Sequence, residues 1–219
     1  MEISNIKERN KEIQRRRKMM YFIEATQEIM ENEGVDKVTI RKVADLAGYN
    51  SATIYNYFKS LDHMIAFASI QYLEEYNKEF IEGIKSETNE LKKFILEWKI
   101  FLKNAFNHPK AFEYVFFSGD ESIEDMMKEY YEIFPVESEL EENYRILKLG
   151  SLENRNKTCL QEISKVGYIN DEDINIINEI TICVAHEYIT IAARKNEKFD
   201  SQKYIEKFIS CINYLMNKA

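Results

Sequence analysis

Few residues of this chain could do chemistry, and most stand at the wrong spacing to do it. His63, His108 and His186 are the three histidines. None has an acid three residues before it, so the Glu-x-x-His pair that di-iron helical bundles project inward is missing. Cys159, Cys183 and Cys211 are odd in number and far apart, with no Cys-x-x-Cys pair. Reduced, buried thiols fit this pattern better than a disulfide framework or a zinc site. No phosphate loop, glycine-rich dinucleotide turn, Gly-x-Ser-x-Gly elbow or His-Glu-x-x-His helix occurs. The sequence therefore predicts no catalytic residue, no metal and no cofactor. One stretch stands apart. Ala47 to Phe58 reads AGYNSATIYNYF, a glycine followed closely by Ser51, Thr53, Tyr55, Asn56 and Tyr57. Hydroxyls and amides of this kind bond phosphates and base edges, and asparagine can read adenine.

Such side chains need a helix to display them and a core to hold that helix. Phe22, Ala25 and Ile29, with Ile23, Thr26 and Met30, recur at helical spacing and predict a helix from about Ile13 to Asn32, ended by Gly34. Thr39 is placed to cap a second helix carrying Ile40, Val43, Ala44 and Ala47. Gly48 can take the left-handed conformation of a tight helix–helix turn. Asn50 is a cap for a third, short helix with Ile54 and Phe58 turned inward, and Ser60 for a fourth that runs to about Ser86. Two short helices joined by a glycine-bearing turn make a helix-turn-helix, whose second helix lies in the major groove. Ile54 and Phe58 then hold the helix, while Ser51, Thr53, Asn56 and Tyr57 face elsewhere. Tyr55 and Tyr57 could instead fold over the first helix as core. The run Arg15-Arg16-Arg17-Lys18 can neutralise phosphates, or be a solvated surface.

From Phe22 to Met64 the sequence resembles the DNA-binding domain of the tetracycline-repressor (TetR) family of bacterial transcription regulators. The resemblance rests on Gly34, on VTIRKVADLAGYNSATIYNYF from Val38 to Phe58, and on Lys59-Ser60. It implies an all-α homodimer: a three-helix DNA-binding domain (residues 1–60) joined to a helical ligand-binding and dimerisation domain (residues 61–219). A small molecule in the second domain switches binding to a palindromic double-stranded operator, most often as repression. The resemblance adds Arg41, Ala52 and Tyr55 to Ser51, Thr53, Asn56 and Tyr57 as DNA contacts. Two positions depart from the family pattern. Leu61 stands where a lysine often follows the serine, so that phosphate contact is either lost or replaced by Lys59, and Tyr49 stands where a small aliphatic residue is usual.

The remaining chain also reads as helix. Leu91, Phe94, Ile95, Trp98, Phe101, Leu102 and Ala105 form an apolar stripe broken at His108-Pro109. Helices are predicted over about Lys110–Phe117, Ser122–Phe134, less regularly Glu137–Val166, then Asp171–Lys195 and Ser201–Met216, with a loop at SGDES. The aromatic residues Trp98, Phe101, Phe112, Phe116, Tyr130, Tyr131 and Phe134 suit a core; within the family's architecture they become the candidate ligand-binding set. The last two helices carry more apolar surface than one core requires. Ile180, Val184 and Tyr188 on one, with Tyr204, Phe208, Cys211 and Leu215 on the other, are the candidate dimer interface.

Composition sets the bounds. The chain has 219 residues, 45% of them hydrophobic, with six Gly and two Pro. That is enough for one large or two small domains and favours helices over turn-rich strand folds. The net charge is −8, but residues 1–61 sum to +2 and the rest to −10, so only the head is suited to a polyanion. Asp120 to Glu142 holds ten acids and one lysine, a solvated face or a site for a cationic ligand. Met1 to Lys18 lacks the apolar segment of a signal peptide, and no unbroken apolar run approaches about 18 residues. A cytoplasmic location without a membrane span is the expectation. An all-helical enzyme and a helical adaptor that never touches DNA are the alternatives to a regulator.

Overall fold

The computed structural model of the chain describes residues 2–117, 122–135, 152–194 and 199–217. Among the described residues every regular element is helical. The helices are α1 (Glu2–Asn32), α2 (Ile40–Ala47), α3 (Ser51–Ile54), α4 (Leu61–Ile84), α5 (Glu90–Asn107), α6 (Pro109–Phe117), α7 (Ser122–Ile133), α8 (Leu152–Lys165), α9 (Ile174–Ala193) and α10 (Ser201–Met216). Residues 118–121 of the SGDES loop and residues 136–151 lie outside the described residues, so the irregular segment Glu137–Val166 is described only from residue 152 onward.

Several helix starts fall where side chains satisfy free backbone groups. Thr39 Oγ1 accepts from Lys42 N at 3.2 Å, Asn50 Oδ1 from Thr53 N at 3.0 Å, Ser60 Oγ from His63 N at 3.0 Å, and Asn89 Oδ1 from Lys92 N at 2.9 Å. α1 begins well before the predicted Ile13. Its first turns are charged residues without apolar periodicity, but they include good helix formers and no Gly or Pro. The expected helix from Asp171 opens as a 3-10 turn, Asp171–Asp173, before α9 begins.

Two compact units are present. The first combines α1, α2, α3, the start of α4 up to residue 71, and α7. Phe22, Ile23, Val43, Ile54, Phe58, Met64 and Phe67 form its core. α7 joins that core through Tyr130, which is fully buried with its ring 5.3 Å from Phe67. The sequence boundary at residue 60 falls in the turn before α4.

The second unit holds α4 from Tyr72 onward with α5, α6, α8, α9 and α10. α9 packs against α5, α6 and α8, and α10 against α5 and α9. Tyr76, Phe94, Phe101, Phe112, Leu160, Ile177, Ile189 and Phe208 fill the interior. A Cβ on Gly83 would stand 2.6 Å from Ile100 Cδ1, so a larger residue there would make that side-chain end move. Asp171–Ala193 is long and apolar enough to cross a membrane, with a mean hydropathy of 1.3. Counting unbroken apolar runs missed this, because isoleucines outweigh Glu179 and Glu187 in the average. Asn178 and Thr181 on α9 are nevertheless buried and hydrogen-bonded within the protein, as in a helix packed among its neighbours.

Candidate nucleic-acid interface and a buried cavity

The tyrosine-rich stretch is fixed from behind and open in front. Gly48 takes φ 76°, ψ 29°, and Tyr49 N donates back to Ala44 O at 2.9 Å, which closes α2 and turns the chain. α3 spans four residues, and turns continue it: Tyr57 N and Phe58 N both donate to Ile54 O, at 2.9 and 3.0 Å. Ile54 and Phe58 are buried against the first unit's core, with the Phe58 ring edge-on to Phe22 at 6.3 Å. Fully burying side chains of this size contributes about 1.5–3 kcal/mol each, enough to hold so short a helix in place.

The outward face carries most of the predicted DNA contacts. Tyr55 is 61% exposed. Ala52 and Asn56 are exposed, and Ser51 is half-buried. The Arg41 side chain is 89% exposed and meets Asp45 at only 3.8 Å, a surface pair too weak to sequester it. Thr53 is half-buried, with its hydroxyl 3.0 Å from Asn50 Oδ1. That contact uses its proton and leaves its lone pairs free to accept.

Two residues differ from expectation. Tyr57 is half-buried, its ring 5.8 Å from Phe22, so much of its surface serves the core. Tyr49, the unusual turn residue, packs on the same ring at 5.1 Å. Lys59 is not a free cation either: its Nζ pairs with Glu129 on α7. Glu129 Oε2 also stands 3.4 Å from His63 Nε2. Along α1, Arg15, Arg17 and Lys18 are exposed, whereas Arg16 is half-buried beside Glu12.

The second unit contains a cavity of about 170 Å³. Tyr76, Phe80, Phe94, Trp98 and Phe101 form its aromatic walls, and Arg155, Asn156 and Cys159 bring α8 to it. Trp98 and Phe101 from the predicted ligand set thus line the cavity. Phe112 and Phe116 sit behind Phe101, at 5.5 and 5.1 Å, outside the lining. Tyr130, Tyr131 and Phe134 belong to the first unit, where Tyr130 meets the other two rings at 5.2 and 5.0 Å. Their helical spacing reflects the attachment of α7.

The cavity holds polar groups that the aromatic pattern did not reveal. Arg155 is 9% exposed, and its Nη2 donates to the Tyr76 hydroxyl at 2.7 Å. Cys159 Sγ donates to Glu97 Oε2 at 3.2 Å. Burial pushes the Glu97 carboxyl above its usual range, although the Cys159 bond and the charges of Lys93 and Arg155 oppose the shift. Burial and the adjacent Glu97 likewise push the Cys159 thiol far up, so it is a poor nucleophile. Among the described residues, no cluster of three or more His, Cys, Asp or Glu could hold a metal ion.

On the candidate dimer surface, Ile180, Val184, Tyr188, Tyr204, Cys211 and Leu215 are half-buried in the single chain. Ile176 and Tyr214 on the same two helices are 51% and 64% exposed. Phe208 departs from this set. It is 1% exposed and packs on Trp98 at 4.9 Å, so it belongs to the protomer's interior.

Residues 22–66 match the family described as bacterial regulatory proteins, tetR family. A search of curated protein sequences gave no match. Among solved structures, the chain resembles the fatty acid degradation regulator FadR from Bacillus halodurans, at 16% identity and a TM-score of 0.61, over 91% of this chain and 94% of that one. The transcriptional regulator FadR from Bacillus subtilis, in complex with stearoyl-CoA, matches at 18% identity and a TM-score of 0.59, over 87% and 97%. RolR in complex with resorcinol matches at 13% identity and a TM-score of 0.55, over 90% and 88%. These likenesses concern the fold. The stretch that follows Gly48 lies wholly inside the matched segment, so residues 22–66 form a domain of the tetR family of bacterial regulatory proteins.

Proposed function

We propose that the chain is a ligand-responsive transcriptional repressor that binds a palindromic operator as a homodimer and leaves it when a small molecule enters the cavity of the second unit. The observation that carries this reading is the outward face of the helix-turn-helix. Arg41, Ala52, Tyr55 and Asn56 are exposed there, while Ile54 and Phe58 anchor the same stretch from behind. A helix held only for packing would gain nothing from leaving a tyrosine and an asparagine in water; one that enters a major groove needs them there.

The apolar face shared by α9 and α10 supports the dimer. A second chain on Ile176, Val184, Tyr188, Leu215 and Tyr214 would cover surface that water otherwise meets. Two-fold pairing suits half-sites about 34 Å apart, one turn of DNA. The cavity supports the effector: it is concave, mostly aromatic and carries a few polar groups. To lower operator affinity about a hundredfold, an effector must favour the non-binding form by roughly 2.7 kcal/mol.

A mobility-shift assay on the DNA upstream of the protein's own coding region tests this reading. Wild type should retard a palindrome-bearing fragment, and Tyr55→Phe should bind it about fivefold more weakly, as expected for one neutral hydrogen bond of about 1 kcal/mol. Arg41→Ala should weaken binding and lower its salt dependence. Retention of full affinity by both variants would mean that a different face meets DNA.

A further inference from the structure

We infer that the cavity takes a small aromatic carboxylate, its ring held among the aromatic walls and its carboxylate held by Arg155 and Tyr76. This rests on the proposal that the cavity is the effector site and goes further by naming the chemical class.

The first reason is a cation without an anion. Arg155 carries a guanidinium cation and is nine-tenths buried. Among the described residues no carboxylate lies within ion-pair distance of it. Its guanidinium carbon instead lies 5.6 Å from the Phe80 ring centre and 6.0 Å from that of Tyr76. Glu97 feels this charge but stands outside ion-pair distance, so the guanidinium is met at close range only by ring faces and one neutral hydroxyl, which is costly unless something else supplies a counter-charge in contact.

The second reason is a shortage of acceptors. Arg155 Nε is buried without a hydrogen-bond partner. The Tyr76 oxygen accepts from Arg155 Nη2, and among the described residues nothing accepts the proton of that hydroxyl. Two donors of this arginine–tyrosine pair therefore lack an acceptor. A neutral carbonyl has two lone pairs but brings no charge. A carboxylate has two oxygens and about four lone-pair sites, so it can answer both and bring the missing charge.

The other charged groups at the cavity do not replace it. Glu97 is engaged by the Cys159 thiol, and burial favours its neutral form. Glu90, Lys93 and Glu162 also line the cavity, with Glu162 exposed at the rim. Two acids against one lysine there disfavour a polyphosphate group at the entrance.

The third reason is size. A cavity of about 170 Å³ compares with the roughly 150 Å³ apolar cavity that accepts benzene. One ring with a short acid arm fills that volume. Five ring side chains supply edges and faces for such a guest.

The full-length protein should be titrated with phenylacetate and its neutral counterpart phenylacetamide, with Trp98 emission and calorimetry as readouts. Phenylacetate should bind at least tenfold more tightly. Arg155→Met should abolish that preference while phenylacetamide still binds, and the retained amide binding shows that the variant is folded. Tyr76→Phe, which keeps the ring, should weaken phenylacetate several-fold and leave the amide unchanged. Equal affinity of acid and amide for wild type overturns the carboxylate assignment and leaves the cavity as effector site. Failure of both probes to bind wild type overturns the assignment of a one-ring acid. If an effector that releases the operator leaves wild-type Trp98 emission unchanged and releases the operator from Trp98→Phe equally well, the cavity reading falls as well.

Discussion

Trp98 Nε1 donates to Asn156 Oδ1 at 2.9 Å, and Asn156 Nδ2 passes a second bond to Asn178 Oδ1 at 2.7 Å. All three residues are buried. A short polar chain thus runs from the cavity wall through α8 to α9. Asn156→Leu would leave an indole donor and an amide acceptor unmet, each costing about 1–3 kcal/mol. The urea midpoint should fall accordingly, and the emission of the only tryptophan should change. An unaltered midpoint would show that these bonds contribute nothing to stability.

His63 should make the first unit sensitive to acid. It is 3% exposed, its Nδ1 accepts from Lys59 N at 3.2 Å, and its ring lies between Phe58 and Phe67. Burial lowers its pKa from the ordinary 6.5; Glu129 opposes that shift, and Lys59 adds to it. The unfolded chain therefore binds this proton first as pH falls. Stability should rise with pH through the window below 6.5 and be lost as pH drops toward the folded value. His63→Gln should flatten that slope between about pH 5 and pH 7.5. A slope equally steep in the variant would assign the titration to other groups.

The pairing of Lys59 with Glu129 withholds a cation from any polyanion that approaches the first unit. Glu129→Gln should release it. Operator affinity should then rise, and the salt dependence should steepen by about one phosphate contact. Lys59→Gln should change neither quantity if the pair is intact in solution. A large loss of binding in Lys59→Gln would instead mean that the lysine leaves Glu129 for DNA.

Dimerisation should depend on side chains that the single chain leaves half-covered. Leu215→Glu and Tyr188→Glu should shift sedimentation toward monomer, with at least about a tenfold weaker association, since a buried unpaired charge costs more than about 1.4 kcal/mol. Phe208→Glu should unfold the protein, because that ring is already enclosed against Trp98. A folded, monomeric Phe208→Glu protein would place the residue at the interface after all.

The sequence announced its own punctuation. Thr39, Gly48, Asn50 and Ser60 act on neighbours within a few residues, so their roles follow from local chemistry. The inward pair Ile54 and Phe58 was legible from spacing alone. Arg155 was not: within LENRNKTCLQEISK it reads as one more charge on a solvated helix, and its burial depends on Tyr76, 79 residues earlier. Tyr130, Tyr131 and Phe134 had the right composition for a pocket but were claimed by Phe67 and by one another. Lys59 looked like a phosphate ligand only because Glu129, 70 residues away, was out of view. Local rules place the elements, whereas sites depend on contacts that link distant parts of the chain.

The three cysteines act as built-in chemical labels. Cys159 is inert, for its thiolate is disfavoured by burial and by Glu97. Cys183 is open to solvent on α9, and Cys211 is half-buried on α10, the two helices proposed to meet a second chain. A thiol reagent applied to the unmodified protein therefore has an internal blank and a reporter on each of these two helices. Their labelling rates form a footprint of those helices, and dilution, operator and effector can each be followed through it without introducing a probe.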